Sequence, residues 1–125
     1  MKGLIVDDSI VVREDLMEAF KGTEYSIVEA SDGYDAIKVF KENPDVSFII
    51  CDFNMPKMDG LSALEEIFKM SEGRNIPAVV LTTETSRDLI KRGKEIGVRG
   101  WMVKPLDKEM LLKCVDALIA KGRAS

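Results

Sequence analysis

Five short runs of mostly β-branched, aliphatic and aromatic residues recur along this chain, and each is followed by a longer stretch with apolar residues at helical spacing. The runs are Gly3 to Val6, Tyr25 to Ala30, Val46 to Cys51, Ala78 to Leu81 and Gly100 to Val103. Each is short and bounded by turn formers, which predicts strands. Val12, Leu16 and Phe20 mark the first helix, and Ala36, Ile37 and Phe40 the second. Leu61, Leu64, Ile67 and Phe68 mark the third, Leu89, Gly93 and Ile96 the fourth, and Leu111, Leu112, Val115, Leu118 and Ile119 the fifth. Such 3.6-residue spacing belongs to helices with one buried face. Ser9 and Asp107 are expected N-caps, Thr85-Ser86-Arg87-Asp88 matches a capping box, and Asn43-Pro44 ends the second helix.

Five strand–helix units in series predict an α/β fold with a doubly wound five-stranded parallel sheet and helices on both faces. The third and fourth runs are continuously apolar (Phe48-Ile49-Ile50-Cys51 and Ala78-Val79-Val80-Leu81), as strands covered on both faces require. At 125 residues the chain fits one domain, expected to fold over 1–121 with a short polar tail at 122–125. No apolar run exceeds four residues, so no membrane span is expected, and the N-terminus lacks a signal-peptide pattern. Eighteen Lys and Arg face 22 Asp and Glu, for a net charge of -4, which argues against gripping nucleic acid. Cys51 and Cys114 read as buried free thiols of a cytoplasmic protein. There is no histidine, which excludes His-based triads, imidazole bases and His-ligated zinc. Any chemistry runs on carboxylates, hydroxyls and lysines.

In a doubly wound sheet, ligands bind beyond the carboxyl ends of the strands. Asp7 and Asp8 follow the first strand, Asp52 the third, Thr82 and Thr83 the fourth, and Lys104 and Pro105 the fifth. Taken singly, each has an ordinary explanation as a helix cap or turn residue. Together they deliver three carboxylates, a hydroxyl pair and an ammonium to one rim. Two consecutive aspartates cannot both cap one helix, and Asp52 precedes an irregular stretch. Three carboxylates held together repel unless a cation sits among them, and all-oxygen ligands favour a hard ion, Mg2+ or Mn2+. A metal, a carboxylate nucleophile, a hydroxyl and an ammonium are the parts of phosphoryl transfer.

Asp7-Asp8, the segment Asp52-Phe53-Asn54-Met55-Pro56-Lys57-Met58-Asp59-Gly60, Thr82 and Lys104-Pro105 together resemble the receiver domain of bacterial response regulators. The resemblance covers Met1 to about Lys121 and is nearest to single-domain, chemotaxis-type regulators of two-component signalling. It implies the flavodoxin-like strand order 2-1-3-4-5. It further implies that Asp52 accepts a phosphoryl group and that Asp7, Asp8, Asp52 and the Asn54 carbonyl hold Mg2+. Lys104 would pair with the phosphoryl oxygens, Thr82 would be the switch hydroxyl, Trp101 the switch aromatic residue, and the peptide into Pro105 would be cis. Asn54, Thr83 and Glu84 fall where phosphate lifetime is set. Thr83 is bulkier than the small residue usual there, and Trp101 stands where Tyr or Phe is commoner.

The implied phosphodonor is a histidine kinase or phosphotransfer protein. The implied output is a changed α4-β5-α5 surface for a downstream protein, with the chain a monomer or a phosphorylation-dependent dimer. Arg87, Lys91, Arg92 and Lys94 make the fourth helix basic, which fits either a solvated face or a dock for an acidic peptide. The resemblance makes the chain a switch, with self-catalysed phosphorylation and dephosphorylation but no turnover of external substrate. Three alternatives stay open: an aspartyl-nucleophile Mg2+ phosphatase, which would carry an acid where Asn54 stands; a flavodoxin-like FMN carrier, whose phosphate Asp7-Asp8 would repel; and the receiver part of a longer transcriptional regulator.

Overall fold

The computed structural model describes residues 1–71 and 76–124. Strands and helices alternate: β1 (Lys2–Val6), α1 (Ile10–Phe20), β2 (Ser26–Ala30), α2 (Gly33–Glu42), β3 (Val46–Cys51), α3 (Gly60–Met70), β4 (Ala78–Thr82), α4 (Arg87–Ile96), β5 (Gly100–Val103) and α5 (Lys108–Ala124). All strand pairs are parallel, in the order β2-β1-β3-β4-β5, as expected. The fifth helix reaches Ala124, into the stretch expected as a tail, and Ser125 lies outside the described residues.

Alternation along the strands sorts side chains between two cores. Leu4, Val6, Ile49, Cys51 and Val80 point to one face and meet Ala36 and Phe40 of α2 and Leu61, Leu64 and Ile67 of α3, with Leu89 and Ile96 of α4 against them. Ile5, Phe48, Ile50 and Leu81 point to the other, where Leu16, Ala19 and Phe20 of α1 and Leu111, Val115 and Ile119 of α5 cover them. Full burial of each large aliphatic or aromatic side chain stabilises by about 1.5–3 kcal/mol, so these two layers supply the main driving force. Cys51 is buried as expected; Cys114 is only partly buried, because it lies toward the flank of α5 under the edge strand β5.

Caps fix where the helices begin. Ser9 accepts from the Val12 N–H, and Asp107 from the Met110 N–H at 3.0 Å. Asp32 and Asp59, not foreseen as caps, accept from Asp35 and Ser62. Ser86, not Thr85, caps α4 through the Leu89 N–H, so the capping-box reading was one residue early. Asn43 ends α2 as expected.

Candidate functional site

Strand register assembles the site. Val6 pairs with Ala30 on one side and Cys51 on the other, so the chain leaves β1 and β3 at the same height and Asp7 and Asp52 become neighbours. The backbone continues the ladder past the strand ends, with Asp7 N–H on the Ala30 carbonyl at 3.2 Å and Asp52 N–H on the Val6 carbonyl at 2.9 Å. Thr82 pairs with Val103, and the Lys104 N–H donates to the Thr82 carbonyl at 2.9 Å, which brings Lys104 to the same rim. The Lys104–Pro105 peptide is cis.

Lys104 Nζ stands 2.9 Å from Asp7 Oδ2 and 3.3 Å from Asp52 Oδ2. Asp7 and Asp52 are buried and Asp8 is exposed, and one carboxylate oxygen from each lies within 4.8 Å of the others. Burial pushes the Asp7 carboxyl above the ordinary aspartate range, and the Asp52 charge adds to this. The Ser9 N–H, at 2.9 Å from Oδ1, and Lys104 pull back without prevailing. Burial works against the Lys104 ammonium, but the hydrogen bonds and charges of Asp7 and Asp52 outweigh it and hold it above the ordinary lysine value. A rim that leaves one carboxylate reluctant to ionise, with only oxygen donors, fits a hard divalent cation.

The irregular segment after Asp52 closes over the site. Asn54 N–H reaches Asp52 Oδ1 at 3.4 Å, and Asn54 Nδ2 donates to Glu84 Oε1 at 2.9 Å. Gly60 N–H returns to the Phe53 carbonyl, folding the loop back onto β3. A Cβ on Gly60 would stand 1.9 Å from the Asp52 carbonyl oxygen, so only glycine admits this approach.

Thr82 is buried and Thr83 exposed, as opposite sides of an extended strand end require. Thr82 Oγ1 accepts from the Glu84 N–H at 3.4 Å. Trp101 is half-buried; its ring edge lies 3.2 Å from where a Cβ on Gly93 would be, and its Nε1–H donates to the Glu84 carbonyl at 2.8 Å. Glu84 thus joins the acceptor loop, the Thr82 hydroxyl and the β5 indole through three separate groups.

Two arginines join the site: Arg13, which the sequence does not single out, and Arg92, which it marks only as part of the basic face of the fourth helix. Arg13 reaches across α1 to donate to the Asp7 carbonyl at 2.6 Å and to Glu29 at 2.9 Å, steadying the end of β1. Arg92 donates to Ser62 Oγ at 3.0 Å and lies 3.6 Å from Asp59, tying α4 to the start of α3. Neither belongs to a strand-end cluster, so no motif marks them; only the contacts across elements do. Arg92 is therefore a fastening between helices, while Arg87, Lys91 and Lys94 are exposed.

A family model described as the response regulator receiver domain matches residues 4–116. The chain belongs to the response regulator receiver family. It is 30% identical over 118 residues to the chemotaxis protein CheY of Treponema pallidum, covering 93% of this chain and 81% of that one. It is 34% identical over 122 residues to the transcriptional regulatory protein PdtaR of Mycobacterium tuberculosis, covering 96% of this chain but 57% of that longer one. Among solved structures, the CheX-CheY-BeF3-Mg complex of Borrelia burgdorferi contains a chain matching at a TM-score of 0.86 and 28% identity, over 94% of this chain and 88% of that one. The receiver is a signalling switch of two-component systems, not a turnover enzyme. The amide at Asn54 offers no acidic proton, which disfavours the phosphatase alternative. Among the described residues no helix is long and apolar enough to cross a membrane.

Proposed function

We propose that this receiver accepts a phosphoryl group on Asp52 from a phosphohistidine of a partner kinase or phosphotransfer protein. The observation that carries this reading is the Lys104 ammonium held between Asp7 and Asp52 beside a cluster of three carboxylates. Asp7, Asp8, Asp52 and the Asn54 backbone carbonyl would hold Mg2+. When bound, that ion supplies positive charge for the phosphoryl oxygens.

An Asp52 carboxylate oxygen attacks phosphorus, the P–N bond to the donor breaks, and the donor imidazole leaves neutral after taking a proton. Lys104 neutralises charge developing on the phosphoryl oxygens, which is where transition-state stabilisation counts in this reaction. The Asn54–Glu84 bridge and the exposed Thr83 flank the approach of water, and so act on the lifetime of the aspartyl phosphate. New negative charge at Asp52 competes for the Thr82 hydroxyl, loosening its contact with the Glu84 N–H. Because the Glu84 carbonyl holds Trp101, that change passes to α4, β5 and α5 and alters the surface offered to a downstream protein.

The Borrelia relative's structure with CheX, BeF3 and Mg supports a protein output and a divalent ion. Similarity to CheY proteins favours chemotaxis in the cytoplasm, and the match to part of PdtaR keeps a longer regulator as the second reading. The test is intact mass after incubation with acetyl phosphate and Mg2+, beside an Asp52→Asn control. One Mg2+-dependent phosphoryl adduct, absent from the control, is expected. An adduct that persists in the control, or none even with a purified histidine kinase, would overturn the assignment.

A further inference from the structure

Helix α1 leaves two apolar side chains uncovered, among charged ones, on a face that the core does not use. Leu16, Ala19 and Phe20 face the sheet, yet Ile10 and Met17 remain 63% and 39% exposed on another side. Ile10, Glu14, Met17, Glu18 and Lys21 follow the spacing i, i+4, i+7, i+8 and i+11, which aligns them on one face of the helix. That face borders β2, the edge strand of the sheet, and together they form an open groove of about 670 Å³. Ile27 of β2 and the Phe20 and Tyr25 rings complete its apolar lining.

The charges around the groove select its occupant. Glu14, Glu18 and Glu29 stand on its lining against Lys21 alone. Glu29 is paired with Arg13, but Glu14 and Glu18 form no ion pair among the described residues. Unneutralised carboxylates around exposed apolar side chains repel nucleic acid and anionic membranes and favour a cationic partner. An exposed methionine at the centre adapts to varied apolar side chains. We infer that the α1–β2 groove is a docking site for a basic amphipathic helix of a partner protein. Such a helix would lay its apolar stripe on Met17 and Ile27 and its Lys or Arg residues on Glu14 and Glu18. The groove lies on the β2 edge, across the sheet from α4 and β5, so it is distinct from the proposed output surface.

The test is an amide-resolved NMR titration of the unphosphorylated protein with a Leu/Lys amphipathic peptide of about 18 residues, long enough for a helix that spans the groove. It needs neither Mg2+ nor a phosphodonor, so its result is independent of phosphoryl acceptance at Asp52. Saturable shifts at Met17, Thr23, Ile27 and Glu29 are expected, and the same residues scrambled out of helical register should not saturate. A Met17→Lys/Glu18→Lys double variant should weaken binding at least roughly tenfold, while Glu109→Lys on α5 changes it less than about twofold. Both replaced side chains are exposed; should the double variant melt early, Met17→Gln alone serves in its place. Shifts centred on the acidic rim or on α4 and β5, or unchanged affinity in the folded variant, would overturn the inference. So would concentration-dependent self-association through Met17 in sedimentation, which would make a second copy the occupant.

Discussion

The indole of Trp101 is hydrogen-bonded to the backbone carbonyl of Glu84 at 2.8 Å, so the β5 aromatic residue is fastened to the loop that leaves β4. The indole edge rests on Gly93 of α4, where an added Cβ would come within 3.2 Å. Trp101→Phe keeps a ring in that place but removes the donor. It is expected to cost about 1 kcal/mol, read as a lower urea midpoint with an unchanged slope. Gly93→Ala crowds the ring while improving helix propensity by about 1 kcal/mol, so stability should barely change. Its signature is instead a red-shifted, more acrylamide-accessible emission from the chain's one tryptophan. An unchanged spectrum would show that the ring does not depend on the bare helix surface.

Lys104 is the counter-charge for two buried carboxylates. Lys104→Met removes it and leaves Asp7 and Asp52 facing each other. In EDTA this should destabilise the protein by about 2 kcal/mol, less than for a fully buried pair because Lys104 retains some exposure. Mg2+ supplies charge at the same place and should restore part of the loss, so the variant's thermal midpoint should rise more with Mg2+ than the wild type's. Equal Mg2+ responses would place the ion elsewhere.

The raised Asp7 carboxyl gives a sign for pH dependence. Its folded-state pKa lies above the unfolded value, so its contribution to stability is present below the ordinary aspartate range and is lost as pH rises through the raised value. A divalent ion at Asp7 competes with that proton. Mg2+ affinity, measured calorimetrically, should therefore rise with pH through the raised pKa and then level off, with proton release on binding that fades as pH passes above that value. Asp7→Asn should abolish this proton release. Release that persists in the variant would assign it to another group.

Much of this fold is legible in the sequence because strands covered on both faces announce themselves as apolar runs. Val46–Cys51 and Gly100–Val103 fall where the runs predict, and the other strand bounds differ by one residue. The rim residues Asp7, Asp52, Thr82 and Lys104 are visible because topology alone carries strand ends to one edge. What stays hidden depends on long side chains crossing between elements. Arg13 and Arg92 sit on helix faces like any solvated arginine, and only folding shows their hydrogen bonds to the Asp7 carbonyl and to Ser62. The resemblance marks position 84, but the way Glu84 links Thr82 and Trp101 is hidden, since two of its three contacts use backbone groups that no side-chain pattern encodes. The capping residue of α4 was displaced by one because Thr85 and Ser86 are both good caps, and the helix phase decides between them.

The two thiols should differ in reactivity. Cys51 is wholly buried, and burial with the nearby charges of Asp52, Asp7 and Asp59 pushes its thiol far above the ordinary value. Cys114 is also raised by burial but is only partly covered. Each unit of upward shift removes about tenfold of the thiolate at neutral pH. Iodoacetamide at pH 8 should therefore label Cys114 slowly and leave Cys51 untouched, with both labelled in urea, as read by peptide mass spectrometry. Labelling of Cys51 at the faster rate in the native protein would mean that β3 opens locally.

Gly60 is the position where the smallest change should do most to the site. A methyl group there would meet the Asp52 carbonyl oxygen at 1.9 Å, the Asp52 carbonyl carbon at 2.9 Å and Cys51 Sγ at 3.1 Å. None of these is the free end of a flexible side chain. The Asp52 backbone is held by its N–H on Val6, and Gly60 itself by its N–H on Phe53, so relief requires moving the acceptor strand end or the start of α3. Gly60→Ala should cost about 2 kcal/mol or more, and it should also displace Asp52 from Lys104. Asp59→Ala is the comparison. It removes the α3 cap and the Arg92 contact, at about 1 kcal/mol, without entering the space beside Asp52. With acetyl phosphate and Mg2+ well below the melting range of both variants, Gly60→Ala should form the adduct markedly more slowly, and Asp59→Ala at close to the wild-type rate. Equal rates in all three proteins would show that the acceptor tolerates the displacement, and the close approach at Gly60 would then serve packing alone.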